Sequence, residues 1–196
     1  MSRDLEPDPA EHFNAALDAL DSEDLPRAMA ELERVVALLP EDEEALLLLA
    51  RTERDLGFVD RAEERLKRLI SDHEDALDAC VELAEIALAK GEPGQAAQLV
   101  ARVLEERPNH FDSLFLLGNA FLDVGAHNEA VKAYRSSLET NPFSAQAWFN
   151  LGRAEEAGGD DEKAVSAYKA YLRALPKAED KLEVEQRIAR LEEGLV

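Results

Sequence analysis

Between Ala145 and Ala178 the apolar and small positions follow a helical period twice. Trp148, Leu151, Gly152 and Glu155 recur at spacings of three and four, which places them on one face of a helix. Gly158-Gly159-Asp160-Asp161 then breaks the pattern as a turn. A second stripe follows in Ala164, Tyr168, Tyr171 and Leu172, and stops before Pro176, which cannot continue a helical hydrogen-bond ladder. Ser144, just ahead of the first stripe, is placed to cap it by accepting from the free amides of the first turn. The segment predicts a helical hairpin.

The same hairpin runs through almost the whole chain with a period of 34 residues. Ala28, Ala62, Ala96, Ala130 and Ala164 stand 34 apart, and so do the small residues Ala16, Ala50, Ala84, Gly118 and Gly152. Pro40, Pro108, Pro142 and Pro176 keep the same frame, with Glu74 at the one place that lacks a proline. Five units follow, 9–42, 43–76, 77–110, 111–144 and 145–178, with a leader at 1–8 and a tail at 179–196. A hairpin of this size cannot bury its apolar face alone and must stack on copies of itself. Two helices approach closely only where neither presents a large side chain, which predicts why these columns stay small. No Gly/Ser-rich or Pro-rich linker interrupts the units.

Composition narrows the partners. The chain of 196 residues carries 22 basic and 43 acidic residues, a net charge of −21. Residues 1–50 hold fourteen of the acids against three arginines, a net −11. Nucleic acid needs the opposite sign along its contact track, and anionic membrane surfaces are disfavoured for the same reason. Two readings remain: a soluble, self-repelling surface, or steering of a basic partner to the acidic end. The first seven residues lack the apolar stretch of a signal peptide, and the run Ala45–Ala50 is too short to span a bilayer. Cys80 is the only cysteine, so no internal disulfide can form. The expectation is a cytoplasmic chain without membrane insertion.

Trp148, Leu151, Gly152, Ala164, Tyr168, Tyr171 and Pro176 in the fifth unit carry a family pattern. Leu114, Leu117, Gly118, Phe121, Ala130, Tyr134 and Pro142 carry it in the fourth. Over residues 9–178 the chain resembles the tetratricopeptide repeat family. The pattern thins toward the N-terminus, with His12 and Cys80 in the tryptophan column, Glu53 in the column of Phe121, and Pro93 in a turn. The resemblance implies an all-α fold: a right-handed superhelical stack of antiparallel helix pairs ending in a capping helix. The tail stripe Val184, Ile188, Leu191 and Leu195 fits that cap, the competing reading being a helix that docks into a partner.

Chemistry is sparse. His12, His73, His110 and His127 are dispersed, without a second ligand at metal spacing. Cys80 sits at a core column with no activating neighbour. Acidic clusters such as Asp160-Asp161-Glu162 lie at helix starts, where acids offset the dipole. Gly91 and Gly94 bracket a turn and match no phosphate-binding motif. No enzyme, metal or cofactor is predicted.

In the family the first helix of each repeat lines a concave groove. Carried over, the fifth residue of each unit, Phe13, Leu47, Val81, Phe115 and Phe149, forms an apolar ribbon along it. For Leu47 and Val81, packing between adjacent first helices is an equal alternative. Beside the ribbon lie Arg51, Glu85, Asn119 and Arg153, and one place beyond it Asn150. An amide offers both a donor and an acceptor, so Asn119 and Asn150 suit a peptide backbone of any sequence, the alternative being ordinary polar surface. A carboxylate clamp of the family's lysine type is not expected, because Phe115 occupies the matching lysine place. The predicted function is a non-catalytic adaptor that binds an extended or helical segment of a partner protein. The alternative is a structural subunit that assembles through the ends of the stack.

Overall fold

The computed structural model describes residues 8–194, and among them it contains eleven α-helices and no strand. The first helices of the hairpins are α1 (Pro9–Asp21), α3 (Glu43–Asp55), α5 (Leu77–Ala89), α7 (Phe111–Asp123) and α9 (Ala145–Ala157). The second helices are α2 (Leu25–Leu38), α4 (Val59–Asp72), α6 (Pro93–Glu106), α8 (His127–Thr140) and α10 (Asp161–Ala174), and the chain continues into α11 (Lys181–Gly194). Each series starts anew every 34 residues. Local chemistry sets many of these starts. Asp8, Asp42 and Ser144 accept from first-turn amides at 2.9, 2.9 and 3.2 Å, and Asp24 and Asp160 do so for second helices at 3.2 Å.

Each hairpin reverses through three residues, the middle one of which is left-handed. Gly57, Gly91, Gly125 and Gly159 adopt φ of 86, 75, 76 and 82°, and in the first hairpin the same column holds Glu23 at φ 58°. An L-residue there meets its own carbonyl, which glycine avoids.

The chain divides into two compact units, residues 1–86 and 87–196, with the division inside α5. In the first unit Ala16, Leu32 and Leu49 form a buried cluster, flanked by Phe13, Met29, Val36 and Leu48. Two buried clusters in the second unit bear on the site. One gathers Ala130, Tyr134, Leu138, Ala147 and Leu151, and the other Ala164, Tyr168 and Tyr171 with Val184 and Ile188 of α11. α11 therefore covers the last hairpin with its apolar stripe. Tyr171 donates to Asp180 at 2.5 Å, Arg187 to Glu156 at 2.7 Å and Lys169 to Glu192 at 2.6 Å around that contact. Leu195, assigned to the same stripe, and the leader as far as Pro7 lie outside the described residues.

The small columns have a specific partner. A Cβ on Gly152 would stand 2.7 Å from two ring carbons of Tyr168, and one on Gly118 would stand 2.5 Å from the Tyr134 ring. Both rings are fully buried. In the first two hairpins the same pair of columns holds Ala16 with Leu32 and Ala50 with Leu66, all buried. Glycine is thus required where the opposite residue is a tyrosine.

Gly152→Ala is expected to destabilise by about 1–3 kcal/mol through overpacking, which outweighs the gain of up to about 1 kcal/mol in helix propensity. In a Tyr168→Leu background the same alanine should be neutral or stabilising. Urea denaturation of the four species decides it, and an equal penalty in both backgrounds would contradict the ring contact. Glu23→Gly should stabilise by up to about 1 kcal/mol, because the left-handed strain of roughly 1–2 kcal/mol exceeds the entropy that glycine loses. A lowered denaturation midpoint would refute that.

Candidate functional site

The ribbon residues are held between groove and core. Phe13, Leu47, Phe115 and Phe149 are half-buried, whereas Val81 is 7% exposed and offers a partner little surface. Phe115 lies parallel to Phe111 with ring centroids 6.1 Å apart and tilts against Tyr134 at 5.9 Å. Phe149 tilts against Tyr168 and Tyr171 at 5.8 and 5.2 Å. Each ring therefore packs against the second helix of its own hairpin and keeps part of its surface open.

The polar columns pair with one another across successive first helices at a spacing of 31 residues. In the first unit Arg51 donates to Glu82 at 2.5 Å, and Arg54 donates to both Glu82 and Glu85 at 2.5 Å. Burial pulls the Arg54 pKa down, but Glu82, Glu85 and Asp55 outweigh it, so the guanidinium is held more firmly charged than usual. Arg51 and Glu85, both expected to meet a partner, are thus engaged within the chain. Glu82 is 7% exposed, and its two arginines keep that buried carboxylate compensated.

The second unit uses amides and phenols on the same spacing. Asn150 Nδ2 donates to Asn119 Oδ1 at 3.0 Å, and the Tyr134 hydroxyl donates to the same oxygen at 2.7 Å. Asn119 Oδ1 is then saturated, which leaves Asn119 Nδ2 and Asn150 Oδ1 without a protein partner among the described residues. Arg153 is exposed and has no ion pair among the described residues, because the position 31 further on is the buried Val184. Next along α9, Glu156 accepts from Tyr168 at 2.8 Å and from Arg187 at 2.7 Å, while the Arg187 guanidinium lies 5.4 Å from the Tyr168 ring centre. The structure therefore brings Asn119, Asn150 and Arg153 to one surface beside Phe115 and Phe149. Leu47, Arg51, Val81 and Glu85 belong to the other unit.

Histidines and acids serve the fold. His12 meets Glu31 at 2.7 Å, and that hydrogen bond, with Arg34, holds the Glu31 carboxyl below its usual range. His73 meets Glu43 at 2.8 Å, and His110 Nδ1 caps α7 by accepting from the Ser113 amide at 3.3 Å. Glu53 is fully buried under a two-pronged contact from Arg65 at 2.9 and 3.0 Å, with Arg61 at 3.0 Å. Glu155 takes the same column in the fifth hairpin and meets Arg135 at 2.5 Å. In sequence Glu53 is a departure from the family pattern, and the arginine 12 residues on is the signal of its pairing. Among the described residues no group of three or more His, Cys, Asp or Glu side chains is placed to hold a metal ion. No helix there is long and apolar enough to cross a membrane.

Comparison with known proteins agrees with this architecture. The family profile described as tetratricopeptide repeat matches residues 13–57, 47–111 and 115–179. The fold is similar to that of PilW, a widely conserved type IV pilus biogenesis factor, at 19% identity and a TM-score of 0.85, over 93% of this chain and 85% of that one. TTC0263, a thermophilic TPR protein of Thermus thermophilus, matches at 22% identity and 0.72, over 94% and 98%. The MamA protein matches at 23% identity and 0.72, over 86% and 92%. No curated protein matches the sequence.

All three tyrosines of the chain lie at this surface or under α11. Burial raises the Tyr134 and Tyr168 phenols far above the ordinary value of 10.0, and Arg153 pulls them back only in part. Burial and the bond to Asp180 push Tyr171 up to about 12. The folded phenols keep protons that the unfolded chain loses. The stability they contribute is therefore complete below pH 10.0 and is lost as pH rises through 12 and beyond. Phenolate absorbance should stay silent at pH 10.0 and appear together with the loss of helix. A smooth titration there with the helices intact would contradict the burial of these rings.

Proposed function

This chain belongs to the tetratricopeptide repeat family, and on that premise we propose that it is a non-catalytic adaptor holding a partner segment on its first-helix face. The segment lies against α7 and α9. One observation supports this reading: the Asn119–Asn150 pair leaves one amide donor and one carbonyl acceptor without a protein partner among the described residues. That is the complement of a peptide group, whose own N–H and C=O need partners once water is removed. Phe115 and Phe149 supply apolar area beside the pair, and Arg153 supplies an unpaired cation. The acid surplus of residues 1–50 speeds the encounter with a partner of positive net charge, an effect that salt screens within about 8–10 Å. A cytosolic setting fits the single, buried cysteine. Assembly through the ends is the weaker reading, because α11 already covers the last hairpin with Val184 and Ile188.

The test is selection of binders from a displayed random-peptide library on the whole protein, followed by affinity measurement on variants. Asn119→Ala is a poor probe, since it would leave the buried Tyr134 hydroxyl without its acceptor. Asn150→Ala/Arg153→Ala avoids this and is expected to weaken the selected peptides by about tenfold or more, roughly one hydrogen bond to a charged group. Peptides that bind the double variant and Phe149→Ala as tightly as the wild type would reject this face.

A further inference from the structure

The second unit has another groove, on the side where its second helices lie. α8 and α10 flank α9 and leave a hollow of about 520 Å³. Its apolar lining is Leu138, Trp148, Leu151, Ala167 and Ala170. The Trp148 indole is fixed by donating to the Pro142 carbonyl at 2.9 Å, and the next residue, Phe143, is 84% exposed. Trp148 is half-buried and lines the apolar hollow, which marks a candidate interaction surface.

Comparison with the second hairpin shows what makes the floor of this groove apolar. There the same columns hold Glu53 and Arg65, and Arg65 lies down to reach the buried carboxylate. In the fifth hairpin Glu155 replaces Glu53, but Ala167 stands in the column of Arg65 and Ala170 in that of Arg68. The buried Glu155 is met instead from α8, by Arg135. The second hairpin has a hollow of its own, of about 490 Å³, but Arg65 and Arg68 line it where Ala167 and Ala170 line this one, so only here is that part of the floor apolar.

Three cations stand on the rim, in a chain of net charge −21. Arg135, Lys163 and Arg173 line it, against exposed Glu139 and the buried, already paired Glu155. Arg135 and Lys163 are steadied by Glu155 and Asp160, and both remain about half exposed. Arg173 has no ion pair among the described residues.

We propose that this groove docks an amphipathic helix of a partner protein, with an apolar stripe flanked by carboxylates. The stripe packs on Trp148, Leu151 and Ala167, and the carboxylates meet Arg173, Lys163 and Arg135. A basic segment would set like charges against the rim. This site is independent of the first-helix face.

The probe is a fluorescein-labelled peptide of roughly five helical turns. It carries leucines three and four apart and glutamates on both flanks, and a second peptide replaces the glutamates with lysines. Fluorescence anisotropy on the full chain should show saturable binding of the acidic peptide. Ala167→Arg puts the arginine of the second hairpin on this floor, covers apolar surface that the stripe would pack on, and should weaken that binding by about tenfold or more. Arg173→Glu, on an exposed face, should weaken it as well and carries the test if Ala167→Arg unfolds the chain. Asn150→Ala/Arg153→Ala should leave it unchanged. The proposal is overturned if the acidic peptide fails to bind, or if it binds Arg173→Glu and a folded Ala167→Arg like the wild type. It is equally overturned if the lysine peptide binds as tightly with the same sensitivity to these variants.

Discussion

The second unit depends on how closely two helices can approach where a tyrosine ring lies flat on a glycine. Gly118 and Gly152 have no room for a methyl group, because the rings of Tyr134 and Tyr168 occupy it. A leucine in the ring's place, as in the first two hairpins, tolerates alanine opposite and ends inside the core. A tyrosine is longer and carries a hydroxyl at its far end, which must find a partner. Tyr134 reaches Asn119 and Tyr168 reaches Glu156, both on first helices. The polar character of that face thus follows from the core: the ring fixes the phenol, the phenol recruits an acceptor, and the acceptor recruits Asn150 or Arg187.

The second constraint is the repeat geometry itself. A residue on one first helix meets the residue 31 places on, so each choice at one position constrains the choice at another. Arg51 with Glu82 and Arg54 with Glu85 close the face of the first unit with charge. Asn119 with Asn150 closes only half of each amide, since a carboxamide has both donor and acceptor to offer. At Arg153 the series ends on Val184, which α11 needs for its own burial. The unpaired arginine is therefore a consequence of the cap.

Helix starts, the 34-residue period and the small columns were legible in the sequence because they are one-dimensional. A proline or a capping serine acts within a few residues, and Ser144 caps α9 as its position predicts. The glycine column 57, 91, 125 and 159 is equally periodic, but its left-handed state, like that of Glu23 in the same column, is visible only in the backbone. The candidate surface was legible by column and not by state. Nothing local distinguishes Arg51, tied to a buried glutamate, from Arg153, which has no ion pair among the described residues; the difference lies 31 residues away. Likewise Gly152 was read against Ala164, whereas its close contact is the ring of Tyr168, because helix crossing decides which column faces which.

Glu53 and Glu155 show how the same local problem has two outcomes. Each is a carboxylate buried in one column, and an uncompensated buried charge is strongly destabilising, so each must have its guanidinium. The second hairpin supplies it from its own second helix, and the arginines line the hollow between helices. The fifth takes it from the preceding second helix, so Arg135 bridges two hairpins and the column of Arg65 holds Ala167. Stability alone does not ask for the second arrangement, since the first compensates the charge equally well. What the second arrangement adds is an open apolar floor with a fixed cation above it, in a chain whose charge is otherwise heavily negative.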